Sequence, residues 1–123
     1  MKINTLLKGC VLSLLVTYGL ASAHHSGAFF SDEEITIIGK VIEVQFTNPH
    51  SWLEVMVADD EGNEVQWSIE LGAPIVLFRA GWTRELLKPG DEVTLVIHPM
   101  SDGRPAGGFV SMKLADGREI GGR

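Results

Sequence analysis

Residues 64–71 constrain the fold more than any other stretch. Val65, Trp67, Ile69 and Leu71 alternate with Glu64, Gln66, Ser68 and Glu70. Successive side chains of an extended strand point to opposite faces, so one face of this run suits a core and the other suits water. The pattern predicts a half-buried strand with Trp67 in the core. Similar runs precede and follow it. Ile35–Phe46 is long and rich in β-branched residues, and its apolar alternation changes phase around Gly39, where a bulge or tight bend is expected. Trp52–Ala58 places Leu53, Val55 and Val57 on one face, and the polar turn Asp59-Asp60-Glu61-Gly62-Asn63 joins it to the 64–71 strand as a hairpin.

The second half of the chain follows the same grammar after a helical interruption. Pro74 suits a first helical turn, Ile75–Ala80 the body of a short helix, and Gly81 the position past its end, where Trp82 is expected to pack. Thr83–Leu87 adds a turn, and Lys88-Pro89-Gly90-Asp91 carries the Pro-then-Gly order of a type II turn. Glu92–His98 is a fourth strand with Val93, Leu95 and Ile97 inward and His98 outward. A Gly- and Pro-rich loop, 101–108, leads to a fifth strand, Phe109–Leu114, with Val110, Met112 and Leu114 inward; Arg118–Ile120 returns as a short edge. Three strands, a short helix and two strands, with a long bent first strand, predict an all-β domain with a small α element: a five-stranded OB-like Greek-key barrel with the helix between strands three and four. An open β-sandwich of the same strands is the alternative.

The chain begins with Lys2 and Lys8, an apolar run from Val11 to Leu20, and Ala21-Ser22-Ala23. This is the order of a secretory signal peptide, 1–23, and the run is shorter than the ~20 residues that span a bilayer. The expected division is a signal at 1–23, an extended lead-in at 24–34 and the barrel at 35–123, giving a periplasmic protein with no membrane insertion after cleavage. Cys10 departs with the signal, which excludes thiol and iron–sulfur chemistry in the mature chain. Loss of Lys2 and Lys8 takes the formal charge from −6 to −8. Phosphate backbones are bound through Lys and Arg, so so acidic a domain is not expected to bind nucleic acid.

Candidate functional residues gather at Thr47-Asn48-Pro49-His50-Ser51-Trp52, between the first two strands. Asn-Pro starts turns, and in an OB barrel this loop borders the usual binding face. Asn48, His50 and Trp52 are the candidate ligand-binding residues; a hairpin corner with Trp52 turned into the core is the plainer alternative. His24, His25 and His50 are the candidate metal ligands. After cleavage at Ala23, the α-amine and imidazole Nδ1 of His24 can chelate one ion, and His50 or His25 would complete a three-nitrogen set of the kind copper(II) favours. A frayed, solvated terminus is the competing description. Glu70 either orients a histidine, as carboxylates behind metal ligands do, or is a solvated strand residue. Asp59, Asp60 and Glu61 read as a solvated corner with too few oxygen ligands for calcium.

No G-x-S-x-G, HExxH or phosphate-loop motif occurs, and no catalytic residues are assigned; a non-enzyme is expected. Several segments together resemble the exported bacterial domain-of-unknown-function family 6152: Ala23-His24-His25-Ser26, Gly39-Lys40-Val41, Thr47–Trp52, Trp67-Ser68-Ile69-Glu70, Gly81-Trp82-Thr83 and Leu87-Lys88-Pro89-Gly90-Asp91. The resemblance implies an envelope protein with an OB-like barrel and brings no activity to transfer. Two functions are thus expected: a small periplasmic binding module, with copper as its candidate ligand, or an envelope structural or protein-interaction domain without a small ligand.

Overall fold

The computed structural model describes residues 29–121. The elements run β1 (Ile35–Gln45), β2 (Trp52–Ala58), β3 (Glu64–Glu70), α1 (Pro74–Arg79), β4 (Glu92–Pro99), β5 (Ala106–Leu114) and β6 (Glu119–Gly121). Antiparallel pairings connect β3, β2, β1, β4, β5 and β6 in that order. A parallel pairing of Ser68–Glu70 with Ala106–Gly108 joins β3 to β5 and shuts the first five strands into a barrel. The OB-like expectation therefore holds, and β6 hangs on the outside of β5.

β1 makes the closure possible because it serves two neighbours. Ile35–Lys40 pairs with β4 and Lys40–Gln45 with β2. The changeover falls next to Gly39, where a Cβ would lie 3.1 Å from Val55 Cβ. A side chain there would press on β2, which would have to give by a few tenths of an ångström. The bulge itself comes later, between Val41 and Glu43, and explains why the apolar phase of β1 changes along its length.

The core inside the barrel is aliphatic, built from Val41, Leu53, Val55, Ile69, Val93, Leu95, Ile97 and Met112. Leu53 and Val55 of β2 and Val93, Leu95 and Ile97 of β4 lie inward as their alternation requires. In β3 the alternation is sustained only toward one end: Ile69 is buried, Trp67 is half-buried against the core, and Val65 is exposed. The indole at the centre is Trp82, 2% exposed and packed edge-on to Phe109 at 5.5 Å.

Trp82 is placed by the end of α1. Gly81 takes φ +96°, its N–H donates to Phe78 O, and the Trp82 N–H donates to Leu77 O. These two bonds form a Schellman motif, whose characteristic apolar contact here joins Leu77 and Trp82, both buried. The Trp82 Nε1–H has no partner among the described residues.

β5 begins three residues earlier than its sequence suggests. Gly107 and Gly108 belong to the strand: a Cβ at Gly107 would meet His98 O and Ile97 Cδ1 at 2.8 Å, and one at Gly108 would meet the Phe30 ring at 3.0 Å. A register break pairs Val96 with Ser111 but Ile97 with Phe109, leaving Val110 as the extra residue. The bulge turns Phe109, in place of Val110, toward the core. Gly90 has φ +91° and the Asp91 N–H donates to Lys88 O, as the type II turn requires.

Candidate functional site

The 46–51 loop is tied down from both ends. The Ser51 N–H donates to Gly72 O and the Leu71 N–H to Ser51 O, extending the β2–β3 ladder past both strands. Ser51 is fully buried, and its hydroxyl reaches Thr47 O at 3.4 Å, while Thr47 Oγ1 donates to His50 O at 2.7 Å. The Asn48–Pro49 peptide is cis. This bracing fixes the backbone that carries His50. The His50 Nδ1 lies 2.6 Å from Glu70 Oε1, with the histidine side chain 38% exposed and the carboxylate 15%. A carboxylate only accepts, so Nδ1 carries the proton, and Nε2 has no partner among the described residues.

Glu70 also lines a groove of about 580 Å³ on the outer face of β2 and β3. Trp52 stands directly across from Glu70 in the β2–β3 ladder. Ser68 and Gln66 continue the floor along β3, and Met100, Arg104 and Pro105 form the wall from the β4–β5 loop. The remaining wall is the lead-in: Phe30 bridges to Met100, the Ser31 N–H donates to Pro99 O, and the Ser101 N–H donates to Phe29 O. Phe29 and Phe30 are thereby held against the same groove as Trp52 and Glu70.

The polar floor has an asymmetric hydrogen-bond economy. Ser68 Oγ lies 2.9 and 2.7 Å from the two oxygens of Glu54, and Gln66 Nε2 donates to Glu54 at 3.0 Å. The Ser68 hydroxyl and one N–H of the Gln66 amide serve one carboxylate, Glu54, and a second carboxylate, Glu70, is held by His50. Arg104 Nε pairs with Asp102 at 2.7 Å.

The candidate residues separate into three groups. Trp52 is half-buried on the outer face and lines the groove, so the alternative of an inward Trp52 is not what the chain adopts. His50 joins the groove through Glu70, and Asn48 sits on the exposed part of the loop outside the groove lining. His24 and His25 lie outside the described residues. Glu70 takes the orienting role over the solvated one. His98 faces outward, its Nδ1 donating to Glu33 O at 3.1 Å and its Nε2 3.8 Å from Glu34. Among the described residues, no three His, Cys, Asp or Glu side chains converge as a metal set.

The 59–63 corner is closed on itself. Asp59 accepts from the N–H groups of Glu61 and Asn63 and from Asn63 Nδ2. The Asn63 side-chain bond, then its backbone N–H, hold the Asp59 carboxyl below its usual value. Sequence reasoning missed Phe29 and Phe30 as groove walls. The usable signal was two adjacent aromatic rings in a segment without strand periodicity, which must find apolar surface elsewhere.

No curated protein and no solved structure gives a match to the chain. The family model described as "Family of unknown function (DUF6152)" matches residues 12–109, which covers most of the sequence and ends inside β5. The matched span takes in the lead-in, the braced loop with His50 and Trp52, and Glu70, so the chain belongs to DUF6152.

Proposed function

We propose that this protein is a small periplasmic binding module, without catalytic activity, that holds copper(II) at the rim of its barrel. The His24 α-amine and imidazole supply two nitrogens and His50 Nε2 the third. The observation that carries the reading is the return of the lead-in: Phe29 lies in the same groove as Glu70, the residue bonded to His50. His24 lies five positions before Phe29, a reach of up to about 18 Å when extended. The Glu70–His50 bond supports it further, because a carboxylate on the far nitrogen fixes the tautomer and raises the basicity of a ligating imidazole. Export by cleavage after Ala23 is part of the same reading, since only that cut frees the His24 amine.

Copper titration of purified mature protein by calorimetry tests it. Adding one residue before His24 is expected to abolish tight binding by blocking the chelating amine. His50→Ala is expected to weaken binding and His98→Ala to leave it unchanged. Binding is expected to weaken below neutral pH, because protons compete for the amine and imidazoles. Equal binding by native and extended proteins sinks the reading.

A second reading, an envelope interaction domain without a small ligand, draws on the exposed face of α1. Ile75, Val76 and Phe78 are exposed there, and Arg84 lies over the rings of Phe46 and Phe78. Protein that neither contains nor takes up metal would favour it.

A further inference from the structure

The copper reading uses one edge of the groove and leaves its main volume unassigned. At about 580 Å³, the volume lies within the roughly 300–1,000 Å³ of small-molecule sites. Phe29, Phe30 and Trp52 present aromatic surface on two sides of it. Phe29 is 55% exposed, a large apolar side chain held beside an open groove by backbone bonds on both sides of Phe30.

We infer that this groove binds an organic ammonium ion carrying an apolar or aromatic body. The argument rests on what the floor has left to offer. The Ser68 hydroxyl and one N–H of the Gln66 amide serve Glu54, and the carboxylate that itself lines the groove is Glu70. Glu54 lies opposite Ser68, and Glu70 lies two residues further along β3, so the two carboxylates are diagonal neighbours across the ladder. Among the described residues, no Lys or Arg forms an ion pair with either of them. The cation in the wall, Arg104, pairs with Asp102. What the groove presents is the Glu70 carboxylate beside three aromatic rings. An ammonium group pairs with Glu70 and is attracted to ring faces, while its apolar body covers the exposed aromatic surface.

The test is calorimetric titration of the mature protein at pH 8 in EDTA, which removes copper from consideration. Benzyltrimethylammonium is the probe, with benzyl alcohol as a neutral aromatic and cellotetraose as a neutral sugar. The ammonium is expected to bind at least about tenfold more tightly than benzyl alcohol, and less tightly as salt is raised. Glu70→Gln and Trp52→Ala are each expected to weaken it by about fivefold or more, with folding checked by circular dichroism and His98→Ala as an unaffected control. Equal affinity for the ammonium and benzyl alcohol would reduce the groove to an apolar crevice. Binding of cellotetraose in place of the ammonium would make it a saccharide site. Absence of ammonium binding, or binding indifferent to both groove variants, overturns the inference, whatever the outcome with copper.

Discussion

Trp82 and Trp52 mark two regions of the same barrel that are organised on opposite terms. Around Trp82 everything is settled by packing: the indole is 2% exposed, lies edge-on to Phe109, and leaves its own N–H without a partner among the described residues. Around Trp52 packing is incomplete and polar pairing dominates. Glu54 is fully engaged by Ser68 and Gln66, and Glu70 holds His50, yet the rings of Phe29, Phe30 and Trp52 border open space. The interior is closed by apolar contact. The outer face ties Glu54 and Glu70 to neighbouring side chains and leaves apolar surface uncovered. A region that needs only stability has no reason to stop at the second arrangement.

The largest expected effect separates the two indoles. Trp82→Ala is expected to cost about 3–5 kcal/mol in denaturant unfolding, as for other large aromatic truncations in cores. Trp52→Ala is expected to stay within about 1 kcal/mol, because its side chain is on the outer face. Comparable losses would show that Trp52 belongs to the core and would erase the distinction.

Two adjacent glycines draw the same line more finely. Gly107→Ala places a Cβ against the His98 carbonyl and Ile97, groups that cannot swing away, and is expected to cost about 1–3 kcal/mol. Gly108→Ala meets only the ring of Phe30, which has room to move, so less than about 1 kcal/mol is expected, together with weaker ammonium binding. The unfolding midpoints and the titration of both variants check this pair. If Gly108→Ala proves the more costly, Phe30 is a fixed part of the core and no wall of an open groove.

The smallest effect concerns the corners outside both regions. Hydrogen bonds hold the carboxyls of Asp59, Asp102 and Asp116 below the ordinary 3.8. The leading contributions come from the Asn63 side chain, the Arg104 N–H and the Arg118 N–H respectively. A carboxyl with a lowered folded value adds stability that is present above the unfolded value and disappears as pH falls through the folded one. All three are exposed, so Asn replacements should lower the stability plateau above about pH 5 only slightly and leave the most acid end, below the folded values, unchanged.

The strand content was legible because it depends on period-two patterning, which β2 and β4 display without interruption. The helix and both glycine-dependent turns were legible for a similar local reason: Pro74, Gly81 and Gly90 each meet a backbone requirement that few residues can meet. What escaped was non-local. The bulge at Val110 depends on how β5 meets β4, and no property of Val110 or Phe109 alone announces it. Gly107 and Gly108 read as loop because the chains pressing on them come from β4 and the lead-in. Trp67 showed the better pattern, but Trp82 gained the centre because the end of α1 turns it inward. At the site, the loop with His50 and Trp52 was visible as a cluster of residue types. The aromatic wall was not, since it forms only when residues 29 and 30 dock beside Met100.

The parallel pairing of β3 with β5 has one more consequence. Ser68, Glu70, Ala106 and Gly107 all line the groove, and they come from the two strands whose meeting shuts the barrel. The groove therefore sits astride a seam between segments far apart in sequence, the kind of contact whose formation carries a high loop-closure cost. Any molecule bound there grips both lips of the seam at once. Occupancy becomes a lock on the closed barrel, and the amide protons of Ser68–Glu70 become its gauge, exchanging more slowly as the groove fills.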